Sequence, residues 1–165
     1  MALATYELTV VSSAAPEVVF EVLADATRWR EWAGVSVGVS EWEREGDPAP
    51  GGVGAVRKLG RWPMFGREEI TEYDPPHHLG YTILSGLPVR GYHSDVDLLP
   101  RDGGGTTIRW SGAFEPSVPG TGAALEAVVG RIVHGYAKAA AREAERRADP
   151  AGAEAQVRRR RSAGS

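Results

Sequence analysis

The amino-acid sequence predicts an α+β fold, in which a curved antiparallel sheet of seven strands wraps around one long C-terminal helix. Apolar and polar residues alternate through most of the region 35–115, which is typical of strands with one buried face. Breaks rich in glycine and proline separate the alternating stretches. The region after residue 122 instead carries an apolar stripe at helical spacing. Packing that stripe against the apolar face of the sheet buries both surfaces, which gives a two-layer domain.

One strand and two short helices are predicted near the N-terminus. Residues 5–12 alternate between apolar and polar side chains, which predicts a half-buried strand. Pro16 suits the first turn of a helix, because the N–H that proline lacks has no intrahelical partner there. Asp25 can cap a second short helix over 27–32 by accepting hydrogen bonds from free backbone N–H groups. Two short helices are therefore expected directly after strand 1.

Six more strands are predicted before the long helix. Their predicted bounds are 37–44, 53–60, 64–73, 78–85, 91–99 and 106–115. Pro75 and Pro76 cannot continue a strand, because proline has no N–H to donate to a ladder. Asp102 followed by three glycines favours a tight hairpin turn. Short connections of this kind join antiparallel neighbours, so we expect one antiparallel sheet.

The last predicted element is an amphipathic helix that begins near Leu125 and ends near Arg147. Its apolar stripe consists of Leu125, Val128, Val129, Ile132, Val133, Tyr136, Ala137 and Ala140. Pro150 follows the helix and favours its end. We therefore assign residues 1–148 to one domain. The remainder, 149–165, is rich in arginine, alanine, glycine and serine, which predicts a disordered tail.

The composition limits the possible classes of function. The chain has no cysteine, so disulfides, thiolate metal sites and cysteine nucleophiles are excluded. The tail contains four arginines and two acidic residues, which leaves 15 basic and 20 acidic residues elsewhere, a net charge of −5. An acidic body of this kind argues against binding of nucleic acid. No apolar run is long enough to cross a membrane and no secretory signal is present, so we expect a cytoplasmic protein.

Polar side chains on the apolar faces of the strands are the candidates for function. The alternation places Tyr81, Tyr92 and Ser94 on the concave side of the sheet. It also places Arg57 and Glu68 on that side, on adjacent strands. A lone charge in a dry core is costly, so these two residues are expected to pair, to face water inside a cavity or to point outward after a bulge. The pair is either a structural ion pair at the sheet edge or a pair that orients a ligand.

The order of these elements resembles the START/polyketide-cyclase superfamily, which has the birch-allergen-like helix-grip fold. The resemblance covers residues 5–147. It is carried by APEVVF (15–20), LAD (23–25), Trp29, Trp32, GVGAVR (52–57), REEITEYDPP (67–76), Tyr81, GTTIRW (105–110) and the C-terminal helix. The superfamily has no universal catalytic motif, so the resemblance implies the fold more strongly than an activity. Its members include lipid and hormone binders, aromatic polyketide cyclases and co-chaperone domains.

Three functions are compatible with this resemblance. The first is binding of a small hydrophobic molecule, such as a lipid, isoprenoid or polyketide-like compound, in a cavity between the sheet and the long helix. The second is a cofactor-free polyketide aromatase/cyclase, in which Arg57 stabilises an enolate and Tyr81 or Tyr92 relays a proton. The third is a regulatory or toxin-like module that binds another protein. The residues expected to contact a ligand are Arg57, Glu68, Ile70, Tyr81, Ile83, Tyr92, Ser94, Trp110, Val129, Ile132 and Tyr136.

Neither a metal nor a cofactor is expected. His93, Asp95 and Asp97 share one strand face, but they alternate with the apolar set, which indicates a solvated outer face. No zinc-binding spacing of histidines and no phosphate-binding glycine loop occurs. The apolar segment 62–65 is a possible gate, a contact in a homodimer or a local cluster.

Overall fold

The structure is a computed structural model, and it describes residues 3–151 together with 158, 161 and 162. The elements, in chain order, are β1 (Ala4–Ser12), α1 (Pro16–Ala24), a 3-10 turn (Ala26–Arg28), α2 (Trp29–Trp32), β2 (Val39–Arg44), β3 (Val56–Arg61), β4 (Met64–Asp74), β5 (His78–Ser85), β6 (Val89–Pro100), β7 (Thr106–Pro116) and α3 (Gly122–Ala148). All seven predicted strands and the three predicted helices are confirmed within the described residues.

The seven strands form one antiparallel sheet in the order β1-β7-β6-β5-β4-β3-β2. Strand 1 and strand 7 are neighbours, so the chain enters and leaves the sheet on the same side. Register shifts interrupt the β2–β3, β4–β5 and β6–β7 pairs. Each extra residue bends its strand, which helps the sheet to curve around α3. This is the helix-grip arrangement that the sequence predicts.

The short helices close one end of the curved sheet. Pro16 occupies the first turn of α1, as its missing N–H favours. The side chain of Asp25 accepts a hydrogen bond from the backbone N–H of Thr27, which confirms the predicted cap. Trp29, at the start of α2, is buried and donates from Nε1 to the carbonyl oxygen of Leu23. The indole therefore fixes α2 against the end of α1.

The two halves of α3 pack differently. The second half is buried through alanines, including Ala137, Ala140 and Ala144, whose small side chains allow close approach to β1 and α1. Ser12 at the end of β1 donates to the carbonyl oxygen of Ala141, which fastens the helix to the sheet edge. The first half carries larger apolar residues, and the sheet curves away beneath it. The space between the sheet and this half of the helix is the cavity described below.

Three sequence expectations differ from the structure in detail. The third strand begins at Val56 and not at 53, because Gly54 adopts a positive φ of 85° in a turn. The helix α3 begins at Gly122, about one turn before the expected start. Val128 and Ile132 are 50% and 43% exposed although they belong to the predicted apolar stripe. Most of the predicted tail lies outside the described residues.

Candidate functional site

A buried ion pair lies at the end of the cavity that the short helices close. Arg57 in β3 and Glu68 in β4 are direct cross-strand partners, as their predicted faces require. Nε of Arg57 donates to Oε2 of Glu68 at 2.6 Å, and the arginine side chain is only 1% exposed. A second guanidinium nitrogen, NH1, donates to the carbonyl oxygen of Leu23 at 3.2 Å. The charge of Arg57 is therefore compensated by a carboxylate and a backbone carbonyl, as burial demands.

Two aromatic rings enclose the guanidinium group. Its central carbon lies 4.5 Å from the ring centroid of Trp29 and 5.0 Å from that of Tyr81. The negative π-faces of these rings stabilise the cation in a setting with little water. Arg57 thus lies behind a wall of aromatic side chains, and the carboxylate of Glu68 is the charged group that borders the cavity.

A cluster of hydroxyl groups lies on the concave face beside this pair. Oη of Tyr6 lies 2.5 Å from Oη of Tyr92 and 2.9 Å from Oγ of Ser94. Nε1 of Trp110 donates to Oγ of Ser94 at 3.0 Å and to Oη of Tyr81 at 3.2 Å. Four neighbouring strands, β1, β7, β6 and β5, each supply at least one of these groups. All five side chains are buried.

One glycine makes the cluster possible. Gly112 in β7 is the cross-strand partner of Tyr6, and the phenol ring of Tyr6 lies over it. A Cβ atom at position 112 would lie 2.6 Å from Cζ and Oη of Tyr6. No L side chain fits under the ring without displacing it, so the glycine allows Tyr6 to reach Tyr92. The sequence pattern predicted the half-buried strand that carries Tyr6 but not the role of Tyr6 in the hydroxyl cluster.

Burial keeps these hydroxyls protonated. Removal from water raises the pKa of Tyr81 well above its usual value, and the nearby phenols of Tyr92 and Tyr6 raise it further. The same loss of solvent is the main cause that raises the pKa of Tyr92 and of Tyr6. At neutral pH the three phenols are neutral, so they cannot serve as phenolate bases. Because the hydroxyl of Ser94 donates to the carbonyl oxygen of Ser111, Tyr6 donates to Ser94 and Tyr92 donates to Tyr6, which leaves the proton of Tyr81 for another acceptor.

The cavity itself is narrow and mainly apolar, with a volume of about 60 Å³. Its lining consists of Trp29, Glu68, Tyr81, Ile83, Leu87, Tyr92, Trp110, Val129, Ile132, Val133 and Tyr136. The lining residues with oxygen atoms in their side chains are Glu68, Tyr81, Tyr92 and Tyr136. The cavity is bordered by β4, β5, β6, β7, α2 and the first half of α3.

The structure brings most of the predicted ligand residues to this cavity. Glu68, Tyr81, Ile83, Tyr92, Trp110, Val129, Ile132 and Tyr136 border it. Arg57, Ile70 and Ser94 do not; they are buried directly behind the lining.

Three lining residues were not among the predicted ligand contacts. Trp29 was named among the residues that carry the family resemblance, but its position in a short helix gave no sign that the ring would face the cavity. Leu87 lies in the β5–β6 connection, where no periodicity assigns a face. Val133 belongs to the predicted helix stripe, so the stripe was the signal that could have identified it.

Within the part of the chain that the structure describes, two larger clefts lie on the surface, and both are open to solvent. One, of about 680 Å³, lies at the edge of β1 beside the first half of α3 and includes Tyr6, Gly112 and Gly130. The other, of about 380 Å³, lies between α1, β2 and β4 and includes Phe20 and Trp42. We assign the candidate site to the smallest of these three cavities because it is the most enclosed and the most apolar. Enclosure and apolar walls are the usual properties of a small-molecule site.

Comparison with known proteins agrees with this architecture. The family described as "Polyketide cyclase / dehydrase and lipid transport" matches residues 4–149, which covers the sheet and all three helices. The chain belongs to this family. No curated protein matches the sequence. The family assignment confirms the resemblance seen in the sequence, and its description spans both catalysis and transport.

Several solved structures share the family fold. The aromatase/cyclase Zhui from Streptomyces sp. R1128 is 23% identical with a TM-score of 0.73, covering 92% of this chain and 99% of its own. A START superfamily protein from Mycobacterium smegmatis is 12% identical with a TM-score of 0.73, covering 87% and 98%. Norcoclaurine synthase from Thalictrum flavum, in complex with dopamine and hydroxybenzaldehyde, is 14% identical with a TM-score of 0.68, covering 86% of each chain. At these identities the likeness establishes the fold alone.

Among the helices that the structure describes, none combines the length and the apolar character needed to cross a membrane.

Proposed function

We propose that this protein binds a small, mainly apolar molecule with a ring and one or two oxygen atoms, in the cavity between the sheet and the first half of α3. The observation that carries the proposal is an apolar enclosure in which a few polar groups converge: the carboxylate of Glu68 and the hydroxyls of Tyr81 and Tyr92. Apolar walls with a small number of placed polar groups are the usual form of a ligand site.

The polar groups indicate which ligand oxygens fit. The neutral phenol of Tyr81 is able to donate to a carbonyl or hydroxyl oxygen, and the phenol oxygen of Tyr92, whose proton goes to Tyr6, is able to accept from a ligand hydroxyl. The carboxylate of Glu68, held by Arg57 through one oxygen, accepts a hydrogen bond from a ligand hydroxyl. Aromatic side chains in the wall, Trp29 and Tyr136, pack edge to face at 5.4 Å and offer flat apolar surface to a ring. These features favour a phenol or a cyclic ketone over a plain alkyl chain.

The cavity must widen to receive such a molecule. Its volume of about 60 Å³ corresponds to about two water molecules at liquid density, whereas ligand sites are about 300 Å³ or larger. The side chains at its mouth are Ile83, Leu87 and Ile132, which are only partly buried. Because these side chains are held on one side only, they are the ones that can move outward on binding.

Calorimetric titration with 2-naphthol tests this proposal, since that probe is a two-ring phenol. We expect saturable binding to the wild-type chain at one equivalent. Ile132→Trp fills the mouth and is expected to weaken binding at least tenfold. Val128→Trp is the matched control, because Val128 lies one turn earlier on α3, is similarly exposed and does not line the cavity. Absence of binding, or equal weakening in both variants, would contradict the proposal.

A second candidate function is cyclisation of a β-ketone chain. It is favoured by the Arg57–Glu68 pair beside protonated phenols, and the description of the family and the similarity to an aromatase/cyclase support it. In this reaction Glu68 removes a proton from the carbon between two carbonyl groups. Tyr81 donates a hydrogen bond to the resulting enolate oxygen. The enolate carbon then bonds to a ketone carbon of the same chain, which closes the ring and leaves an alkoxide. Glu68 returns its proton to that alkoxide, and loss of water completes the reaction without a redox cofactor.

Deuterium uptake distinguishes catalysis from binding. The methylene group of ethyl acetoacetate exchanges its protons with D₂O through the same enolate. A cyclase is expected to accelerate that exchange above the rate in buffer, and Glu68→Gln is expected to remove the acceleration. Thermal unfolding of the variant verifies that it is folded. A wild-type rate equal to that of buffer, with 2-naphthol still bound, would leave binding as the function.

A further inference from the structure

A second group of polar side chains lies on the outer face of the sheet, opposite the cavity. Glu72 of β4, His78 of β5 and Asp95 of β6 each place one oxygen or nitrogen within 4.8 Å of the others. Nε2 of His78 lies 3.0 Å from Oε2 of Glu72 and 3.4 Å from Oδ1 of Asp95. Three neighbouring strands supply these atoms, so formation of the sheet brings them together.

Gly80 provides the space for this histidine–carboxylate cluster. It is the cross-strand partner of Glu72 on one side and of Asp95 on the other. Its backbone is buried although its missing side chain would point to the outer face. A Cβ atom there would lie 3.0 Å from Cβ of Glu72. Because β5 has no side chain at this position, the two flanking carboxylates can approach each other above it.

Two polar atoms at this position are enclosed and form no hydrogen bond within the described part of the chain. They are Nε2 of His78 and Oγ1 of Thr71. The carboxylate oxygens near Nε2 do not meet the geometry of a hydrogen bond with it, despite their short distances. Thr71 is the extra residue at a register shift in β4, and its Oγ1 lies 3.3 Å from the position of a Gly80 Cβ. Buried polar atoms normally have partners, so this arrangement points to a ligand that several donor atoms share.

Asp97 prepares the imidazole for such a ligand. Its Oδ1 lies 2.8 Å from Nδ1 of His78 and can accept the proton of that nitrogen. With the proton on Nδ1, the lone pair of Nε2 faces Glu72 and Asp95. A carboxylate behind a metal-binding histidine is a common arrangement. Among the described residues, no lysine or arginine pairs with any of the three carboxylates, and the partner of Asp95 besides His78 is Nε2 of His93, 3.0 Å from its other oxygen, Oδ2.

We propose that Glu72, His78 and Asp95 bind a Zn²⁺ ion, with Asp97 as the positioning residue. Tetrahedral Zn²⁺ with ligands at about 2.0–2.2 Å separates its ligand atoms by roughly 3.3 Å, which is close to the distances from Nε2 to the two carboxylates. A water molecule completes the four ligands. The ion joins β4, β5 and β6 and stabilises the sheet behind the cavity. The inference departs from the sequence-based expectation of no metal, and it does not depend on the proposed function.

Titration of the metal-free full-length protein with ZnCl₂ in a calorimeter tests this site. We expect one equivalent to bind and the unfolding temperature to rise with it. His78→Ala removes binding, and Asp97→Asn weakens it by about 10- to 100-fold. His134→Ala, which changes an exposed histidine on α3, is the matched control and is expected to bind like the wild type.

Glu72→Gln keeps the test decisive if His78→Ala does not fold. Glu72 is largely exposed and its only ion-pair partner among the described residues is His78, so the change removes one ligand and leaves the packing intact. We expect at least a 100-fold loss of Zn²⁺ affinity. Long-range ¹H–¹⁵N spectra should show the Nε2 resonance of His78 shifting on metal addition. No binding by the wild type, or unchanged binding in both variants, would overturn the proposal.

Discussion

Strand β6 carries two unlike sets of side chains, one on each face. Tyr92 and Ser94 point inward and are fully enclosed in the hydroxyl cluster. His93 and Asp95 point outward, stay partly exposed and contact each other at 3.0 Å. The two sets alternate along a single strand, so a shift of one residue in register would exchange them. Exposure to water therefore determines which side chains each face carries. The inner face has neutral hydrogen-bond donors and one buried ion pair, and the outer face has charged side chains.

The inner face accepts a charge only as part of a pair, and Glu68→Ala breaks that pair. The change leaves the guanidinium of Arg57 buried without its carboxylate, and we expect the free energy of unfolding to fall by about 3–5 kcal/mol. Urea denaturation followed by tryptophan fluorescence measures the loss. Arg57→Met is the matched control. It removes the buried cation and leaves unpaired the carboxylate of Glu68, which borders the cavity. If Arg57→Met were the more damaging change, the unpaired buried cation would not be the main cause of the loss.

The next largest effect is expected from Gly112→Ala. The added methyl group must displace the phenol of Tyr6 from the hydroxyl cluster, which we expect to cost about 1–3 kcal/mol of stability. Chemical denaturation measures this as well. Gly66→Ala on β4 is the control, since its Cβ would lie 3.7 Å from the carbonyl oxygen of Leu59, an ordinary contact. Equal losses in the two variants would show that strand propensity, and not the cluster, is being measured.

The buried phenols also predict how stability changes at alkaline pH. Burial raises the pKa of Tyr81 and of Tyr92 above that of tyrosine in the unfolded chain, so the unfolded state loses its protons first. Stability is fully present below about pH 10 and falls above it, by about 1.4 kcal/mol per pH unit for each such tyrosine. Tyr92→Phe is expected to reduce the dependence of stability on pH by the contribution of one tyrosine. A wild-type stability that is constant up to about pH 11 would contradict this.

The smallest expected difference in stability is between variants of two neighbouring residues on β6, Tyr92 and His93. Tyr92→Phe removes one hydroxyl from a buried network and is expected to cost about 1 kcal/mol at neutral pH. His93→Ala, on the exposed face, is expected to change stability by less than about 0.5 kcal/mol in the absence of metal. Parallel denaturation curves compare the two. A larger loss for His93→Ala would mean that the outer face contributes more to folding than its exposure indicates.

Most of the fold could be predicted from local patterns. The alternation along β6 and β7 is strict because one face is buried, so the facing of Tyr92, Ser94 and Trp110 follows from the sequence. The pairing of Arg57 with Glu68 followed from the same rule on two adjacent strands. The start of β3 was less predictable, since the positive φ of Gly54 is a property of the loop and has no periodic signal.

The parts of both sites that escaped prediction depend on tertiary contacts. The facing of Trp29 into the cavity depends on how α2 packs against α3, and the position of Leu87 depends on the β5–β6 connection. On the outer face, the cluster around His78 requires a register shift at Thr71 and a glycine opposite it. Neither the shift nor the space above Gly80 can be recognised from residue types alone.

A methyl-resolved NMR titration with 2-naphthol tests the central claim of an internal ligand site most directly. The account predicts saturable shifts for the methyl groups of Ile83, Val129 and Ile132, which line the cavity. It predicts no shift for Val11 and Val53, which are exposed elsewhere. Shifts confined to the exposed methyl groups, or no saturable shift at all, would contradict the claim that the space between the sheet and α3 receives a ligand.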